Sequence, residues 1–312
     1  MIYDELYDEW RNQPYMDSCT EKFEIRDGIA IIPEGTTKIG NYAFDDCTSL
    51  ESVTIPESVT EIGNCAFIRC TSLKNVAIPK SVTEIGDSAF SGCTSLESIT
   101  LPDSVTIIDW LAFNDCTSLK NITLPDSVTF LGENAFSHCT SLESITISKS
   151  VTEIGHYAFD GCSLLKSIII PESVKEIGIG AFRWCAALES ITLPESVTRI
   201  GCYAFMGCTS LKNITIPESV TRIEQNAFKG CTSLTNVAIP ESVREIEEYA
   251  FEGCTSLTTV ILPVRMKEIN LTAFYKCPSL STIYVPAEKT DYYKELLPEK
   301  LHDKIVELAP EK

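Results

Sequence analysis

The sequence predicts a mainly β repeat protein, a solenoid of eleven units that each span 23 residues. Three observations carry this prediction: a Phe recurs at intervals of 23, a Cys follows each Phe by three residues, and a Leu follows each Cys by three more. A single period over most of a 312-residue chain is typical of a continuous stacked array. The Phe column comprises Phe44, Phe67, Phe90, Phe113, Phe136, Phe159, Phe182, Phe205, Phe228, Phe251 and Phe274.

The first half of each unit predicts a short strand. Leu50, Val53 and Ile55 follow an L-x-x-L-x-L spacing, and the alternation of Val53 and Ile55 places one face inward. Pro56 then ends the strand because proline has no N–H for a β ladder.

The second half predicts another short apolar stretch and a tight turn. Val59 and Ile62 form the stretch, and Gly63 closes it. Residues 64–67 then indicate a single helical or 3-10 turn, with Phe67 filling the interior. Because one unit leaves both of its flat sides uncovered, neighbouring units must stack to bury them.

The two ends of the chain break the repeat and predict caps. We expect an N-terminal cap over 1–22, the solenoid over 23–286 and a helical C-terminal cap over 287–312. Within the last cap we expect a helix over 290–297, an interruption at Pro298 and a second helical segment over 300–308.

These residues resemble the BspA-type leucine-rich repeat family. Its pattern joins a strand, Ile-Pro, Ser-Val, Glu-Ile-Gly, Ala-Phe and Gly-Cys-Thr-Ser-Leu at a spacing of 23 residues, and the resemblance covers residues 24–286. The ending Tyr284-Val285-Pro286-Ala287, followed by a Tyr-Tyr-Lys helix, is similar to the usual close of that family. The resemblance implies a leucine-rich repeat solenoid whose relatives are chiefly surface adhesins and interaction proteins of mucosal bacteria and protists.

Charge and hydropathy exclude several classes of partner. The formal net charge of −19 disfavours nucleic acid and anionic lipid, since both repel a polyanion. The apolar runs are far shorter than the ~20 residues that span a bilayer, so we expect no membrane insertion. The acidic N-terminal stretch does not have the pattern of an export signal, and the compartment stays open.

The 14 cysteines predict a ladder of buried thiols, not a disulfide framework. Eleven lie in the repeat column, where neighbouring Cβ atoms are about 4.8 Å apart and a disulfide needs about 3.8 Å. Each thiol is expected to donate a weak S–H bond to a turn carbonyl. We expect Cys19, Cys65 and Cys202, outside the column, to be unpaired; a zinc site is the alternative reading of so many cysteines.

No catalytic constellation is predicted. His138 and His156 occupy non-equivalent repeat positions and have no activated nucleophile beside them, so we expect neither an enzyme nor a cofactor. The carboxylates recur as periodic stripes, which indicates a solvated face, with weak Ca²⁺ binding as the alternative. The residue after each repeat Leu alternates Glu and Lys over eight units from Glu51 to Lys212, which predicts attractive contacts between neighbouring strands.

Departures from the repeat in exposed columns predict where a partner binds. Apolar, aromatic and Arg side chains are enriched at the centres of interfaces. The residues of this kind that replace the usual Glu, Asn, Asp or Gly are Ile107, Trp110, Phe130, Ile179, Arg183 and Trp184. Three interpretations stay open: a binding site, an apolar seam between two solenoids, or side chains that fold back onto the stack.

The sequence therefore predicts a non-enzymatic scaffold that presents an extended surface to another protein or a glycan, and an adhesin-like role is compatible with the resemblance. The alternative is a structural protein that assembles with itself, in which the central apolar residues form the seam of a homodimer.

Overall fold

The computed structural model describes residues 23–309 and shows a β solenoid in which each 23-residue unit forms one coil with two short strands. The predicted N-terminal cap, 1–22, lies outside the described residues.

The first strand of each coil follows the repeat Leu. These first strands are Ile29–Ile31, Ser52–Thr54, Asn75–Ala77, Ser98–Thr100, Asn121–Thr123, Ser144–Thr146, Ser167–Ile169, Ser190–Thr192, Asn213–Thr215, Asn236–Ala238, Thr259–Ile261 and Thr282–Val285. Paired first strands run parallel, and each pair joins residues 23 positions apart, as Asn121 and Ser144 are. The ladder is interrupted between Ser98–Thr100 and Asn121–Thr123 and between Asn213–Thr215 and Asn236–Ala238. The middle residue of each strand is turned inward and the flanking residues outward.

The second strand of each coil is two residues long, and paired second strands also run parallel. Their ladder is interrupted between Phe130–Leu131 and Glu153–Ile154 and between Arg199–Ile200 and Arg222–Ile223. These second strands are Lys38–Ile39, Glu61–Ile62, Glu84–Ile85, Ile107–Ile108, Phe130–Leu131, Glu153–Ile154, Glu176–Ile177, Arg199–Ile200, Arg222–Ile223, Glu245–Ile246 and Glu268–Ile269. The second residue of each is buried, so the first residue forms an outward column that we call the second-strand face.

A stack of Phe rings fills the interior. The rings from Phe23 to Phe274 follow one another with centroids 4.9–5.7 Å apart and interplanar angles of 3–15°. Beside them runs the Cys column, in which each thiol from Cys70 to Cys277 donates to the Phe carbonyl of the preceding coil at 3.0–3.2 Å. The predicted S–H bonds are confirmed.

The segment expected to form a helical or 3-10 turn is a run of tight turns. Within a coil, every second N–H donates to the carbonyl three residues back, as from Ala66 to Gly63 and from Cys70 to Phe67. The intervening N–H groups donate to the next coil, as from Phe67 to Ala89. A continuous helix would use these groups internally, whereas the alternating pattern also joins the units.

Both ends of the first-strand series are extended by an extra strand. At the start, Ile25–Arg26 pairs antiparallel with Ile29–Ile31 through a turn at Asp27 and Gly28, whose φ angles are 50° and 77°. An Asp-Gly pair with both φ angles positive is typical of a type I′ hairpin turn.

The C-terminal cap is only partly helical. An α-helix spans Thr290–Leu296, a 3-10 helix spans Glu299–Lys304, and Ile305–Glu307 is a strand that pairs parallel with Thr282–Val285. The predicted continuation of helix through Leu308 is wrong. The β-branched Ile305 and Val306 instead pair with the strand edge that the last repeat unit would leave exposed.

Candidate functional site

The structure divides the six predicted partner-binding residues into two groups on different parts of the coil. Ile107 and Phe130 lie on the second-strand face, as in-register neighbours in adjacent strands. Both side chains point outward because the following residues, Ile108 and Leu131, occupy the buried position. Phe130 remains 44% exposed, although the equivalent residue in most other coils is charged.

Trp110 lies three residues beyond Ile107, where the second strand enters the turn. Its backbone N–H donates to the Asp109 carboxylate at 2.8 Å, and its side chain is 52% exposed. The Asp109–Trp110 backbone also packs closely against Gly132 of the next coil, where a Cβ would come within 2.7 Å of the Trp110 nitrogen. Ile107, Trp110 and Phe130 therefore belong to two adjacent coils, and we call them the strand-face patch.

Carboxylates border the strand-face patch. Glu84 pairs in register with Ile107 on one side, and Glu153 is the equivalent residue one coil beyond Phe130. Asp87 and Glu133 occupy the column of Trp110, one coil before it and one coil after it, and Asp109 immediately precedes Trp110. Burial raises the pKa of Asp87, and the nearby charge of Asp109 adds to that rise.

Ile179 and Arg183 make contacts within the stack. The N–H of Ile179 donates to Nδ1 of His156 at 2.9 Å. Arg183 forms two bonds with Asp160, at 2.9 and 2.7 Å, and its guanidinium lies 5.0 Å from the ring centroid of Tyr157. For Arg183 the geometry matches the interpretation in which the side chain folds back onto the solenoid.

Trp184 occupies a strained backbone position. Its φ of 60° is in the left-handed region, which glycine occupies in the preceding and following coils, at Gly161 and Gly207. A Cβ on Gly207 would come within 2.3, 2.7 and 2.9 Å of three atoms of the indole ring, which indicates that one ring face rests on that glycine. The side chain stays 50% exposed, so half of its surface is available to a partner.

Several exposed apolar residues were not selected from the sequence, and two of them lie in the middle of the chain. Leu164 is 47% exposed and Ile169 is 84% exposed. Each departs from the repeat, in which Ser and Thr are the usual residues at these positions. An apolar residue in an exposed and otherwise polar repeat column is the signal that identifies Phe130, and it also identifies these two residues.

The alternating Glu and Lys column forms discrete ion pairs. Each pair joins a Lys to the Glu of the preceding coil: Lys74 to Glu51 at 2.7 Å, Lys166 to Glu143 at 2.9 Å and Lys212 to Glu189 at 2.8 Å. All of these side chains are largely exposed to solvent, so water screens each pair and its contribution to stability is small. Within the described residues, Glu97 and Lys120 of the same column form no ion pair.

Cys47 is an exception in the predicted ladder of free thiols, because it is disulfide-bonded. Cys65 and Cys202 are free, as predicted, whereas Cys19 lies outside the described residues.

The histidines pack against the backbone of the next coil. His156 accepts the N–H of Ile179, and a Cβ on Gly161 would come within 2.6 Å of Nδ1 of His138. Within residues 23–309, no group of three or more His, Cys, Asp or Glu side chains is arranged to hold a metal ion. Weak Ca²⁺ binding by the carboxylate stripes remains a prediction.

Two shallow depressions lie on the second-strand face. One of about 410 Å³ is bordered by Glu61 and Glu84, and one of about 260 Å³ by Glu245 and Glu268.

In the part of the chain that the structure describes, no helix is long and apolar enough to cross a membrane.

Comparison with known proteins agrees with this geometry. The family model described as BspA type leucine rich repeat region matches in six copies, at residues 28–140, 94–187 and 175–297. No curated protein is similar enough in sequence to match.

Three crystal structures of bacterial proteins are similar to this chain. A leucine-rich repeat protein from Bacteroides ovatus shares 27% identity with a TM-score of 0.50, over 90% of this chain and 92% of that one. A leucine rich cell surface protein from Faecalibacterium prausnitzii shares 30% identity with a TM-score of 0.50, over 88% of this chain and 95% of that one. The leucine rich repeat protein of T. pallidum shares 34% identity with a TM-score of 0.52, over 62% of this chain and 90% of that one.

The family model covers most of the chain, and the 23-residue coil recurs from Ile29 to Val285. Leucine-rich repeat proteins of this family are repeat scaffolds that are generally not enzymes. The chain belongs to the BspA-type leucine-rich repeat family.

Proposed function

We propose that this chain is a non-enzymatic scaffold that binds another protein through the strand-face patch. One observation carries the proposal: Ile107 and Phe130 stand side by side on an outward column that is otherwise charged. Neither side chain completes the core, because Ile108 and Leu131 already do so. Covering the exposed area of these residues and Trp110 would contribute about 25 cal/mol for each Å² removed from water.

The composition of the strand-face patch favours a protein over a glycan. Trp and Phe are typical of interface centres, where they supply large apolar areas. A surrounding rim of polar groups then excludes water from the contact, and the carboxylates here have that position. A role in adhesion at a cell surface is the more specific form of this proposal, and the likeness to a leucine rich cell surface protein supports it.

Photo-crosslinking tests the proposal. The photoreactive residue p-benzoylphenylalanine replaces Phe130 in one variant and Glu268, in the same column, in a control. Both are irradiated with extract and growth medium of the source cells. We expect a covalent partner from position 130 that is absent from position 268. The partner is then identified, purified and titrated by calorimetry against the wild-type chain and an Ile107→Glu/Phe130→Glu variant.

We expect the double variant to bind the purified partner at least about tenfold more weakly, because it loses two apolar anchors. Equal affinity would contradict the proposal. Light scattering on both proteins separates self-assembly from recognition of a foreign partner. A wild-type dimer that becomes monomeric in the double variant would assign the strand-face patch to a homodimer seam instead.

A further inference from the structure

We infer that the partner presents a cationic segment whose apolar side chains contact the strand-face patch. This inference rests on the proposed function and adds the chemistry of the partner. Its basis is charge complementarity: an apolar centre surrounded by carboxylates is matched by apolar anchors that are flanked by Lys or Arg.

The rim is acidic along the solenoid axis and along the turn. Glu84 pairs in register with Ile107, roughly 5 Å away. Glu153 is the equivalent residue one coil after Phe130. Along the turn, the rim consists of Asp87, Asp109 and Glu133.

Several cations around the strand-face patch contact carboxylates outside its rim. In the same column, Lys38 contacts Glu61, and Arg199 contacts both Glu176 and Glu224. On the far side of the second strand, Lys149 contacts Asp126 at 2.6 Å. Four carboxylates of the rim form no ion pair with a Lys or Arg of residues 23–309: Glu84, Asp87, Asp109 and Glu153. Their negative charge is therefore left for a partner to neutralise.

The same rim disfavours a second copy of this chain as the partner. In a two-fold dimer centred on the strand-face patch, Glu84 of one copy would face Glu153 of the other. Each copy also has a formal net charge of −19, so the two would repel one another. A cationic partner instead gains attraction over the whole approach.

The test uses three synthetic peptides with the same two Leu anchors, flanked by Lys, by Gln or by Glu. Their binding to the wild-type chain is measured by fluorescence anisotropy at about 0.05 M and about 0.3 M salt. We expect saturable binding of the Lys peptide that weakens as salt rises. We also expect binding of the Gln peptide to be at least about tenfold weaker and the Glu peptide to be weaker still.

The Ile107→Glu/Phe130→Glu variant supplies the decisive control because the two possible causes of binding change it in opposite directions. We expect this variant to fold, because each substitution introduces the Glu that most repeats have at this position. Neighbouring Glu residues are also tolerated in the stack, as at Glu153 and Glu176. If binding is only attraction to an acidic surface, the added carboxylates strengthen it. If the apolar anchors are required, the Lys peptide binds at least about tenfold more weakly despite the added negative charge.

The two failures are distinguishable. Equal binding of the Lys and Gln peptides, with loss of both in the double variant, would overturn the cationic partner and leave the proposed binding surface intact. Binding of the Lys peptide that is unchanged or tighter in the double variant would contradict both proposals. Absence of saturable binding by the Lys peptide to the wild-type chain would overturn the inference.

Discussion

At the scale of single residues, the Phe column supplies contact between every pair of neighbouring coils. An interior ring such as Phe159 lies between two others, with centroids 5.7 and 5.5 Å away, and is fully buried. Phe274 has a stacked neighbour at Phe251 and is slightly exposed. The column therefore couples each unit to both neighbours, and its members differ mainly by their distance from an end.

We predict that Phe159→Ala lowers the free energy of unfolding by about 3–5 kcal/mol, because it leaves a cavity and removes two ring contacts. Phe274→Ala should have a smaller effect, since less of the surrounding structure packs on it. Guanidinium unfolding followed by circular dichroism measures both values. Equal losses would show that the position of a ring within the stack does not matter.

The Cys column makes stability depend on alkaline pH. Burial raises the pKa of these thiols, to about 12 for Cys70 and about 11 for Cys277, and well above the ordinary value for fully buried Cys116 and Cys162. An unfolded thiol titrates near pH 8.5. Below that pH the folded chain keeps the full contribution of these thiols. Above it the folded chain binds more protons than the unfolded chain, so stability falls as pH rises toward the folded pKa values.

Replacing Cys116, Cys139 and Cys162 with Ala should therefore flatten the alkaline loss. Each thiol contributes a slope of about 1.4 kcal/mol per pH unit in this window, so three contribute about 4. The free energy of unfolding is measured between pH 8.5 and about 10.5 in the variant and the wild type. Parallel curves would show that these thiols do not titrate on unfolding.

At the scale of the structural element, each turn segment except the last contains two residues in the left-handed region. In the coil of Trp184 these positions are held by Gly180 and Trp184, with φ of 59° and 60°. The second position is a run of glycines in the three following coils, at Gly207, Gly230 and Gly253. A large side chain at the second position of one coil therefore leaves room only for glycine at the same position of the next coil, as Trp184 does at Gly207.

We predict that Gly207→Ala destabilises the chain more than Gly230→Ala, by about 1 kcal/mol. Both place a side chain at a φ above 70°, so the backbone strain is shared. The difference arises because a Cβ on Gly207 meets the Trp184 ring at 2.3 Å, whereas one on Gly230 meets only Gly207, at 3.8 Å. Thermal unfolding measures both, and a Trp184→Ala/Gly207→Ala variant should recover the difference. No recovery would mean that the indole is not the obstacle.

At the scale of the whole molecule, the stack is a linear array in which each coil contacts only its neighbours. Stability should then be close to a sum over units and the interfaces between them. We predict that deletion of residues 94–139, which are two whole units, leaves a folded chain with a proportionally lower denaturant dependence of unfolding. The deletion also keeps Lys74 next to Glu143, so the charges still alternate.

Deletion of residues 94–116, one unit, is the matched control. It places Lys74 beside Lys120, and we expect a small added loss of stability that high salt relieves. Denaturant unfolding by circular dichroism measures both deletions. Loss of cooperative unfolding in the two-unit deletion would contradict the picture of a linear array.

The architecture could be predicted because eleven units of the sequence place the same apolar residues at the same positions. The Phe, Cys and Leu columns define the coil length, and the Val-Ile alternation defines the first strand. The turn conformation could not be predicted in this way, since Tyr42, Cys65, Leu111 and Gly180 have no chemical property in common that signals a left-handed φ. Their conformation is imposed by hydrogen bonds to the next coil, which only the stacked structure contains.

The candidate surface was predictable in part for a related reason. Departures from the repeat identify exposed residues such as Phe130 and Trp110, because a column that is outward in one coil is outward in all. Departures from the repeat do not show which outward side chain folds back to contact a neighbouring coil. Arg183 does so because Asp160 and Tyr157 lie one coil earlier, within reach of its guanidinium.

The bonded state of Cys47 has a consequence for redox chemistry. A disulfide beside a row of free thiols would ordinarily be open to exchange, since attack by a neighbouring thiolate transfers the bond along the row. The next thiol in the column is Cys70, and burial raises its pKa to about 12. At neutral pH only about one in 10⁵ such thiols is ionised, and the thiolate is the attacking species. Burial of Cys70 therefore disfavours exchange between its thiol and the bond at the first coil, because little of the attacking thiolate is present.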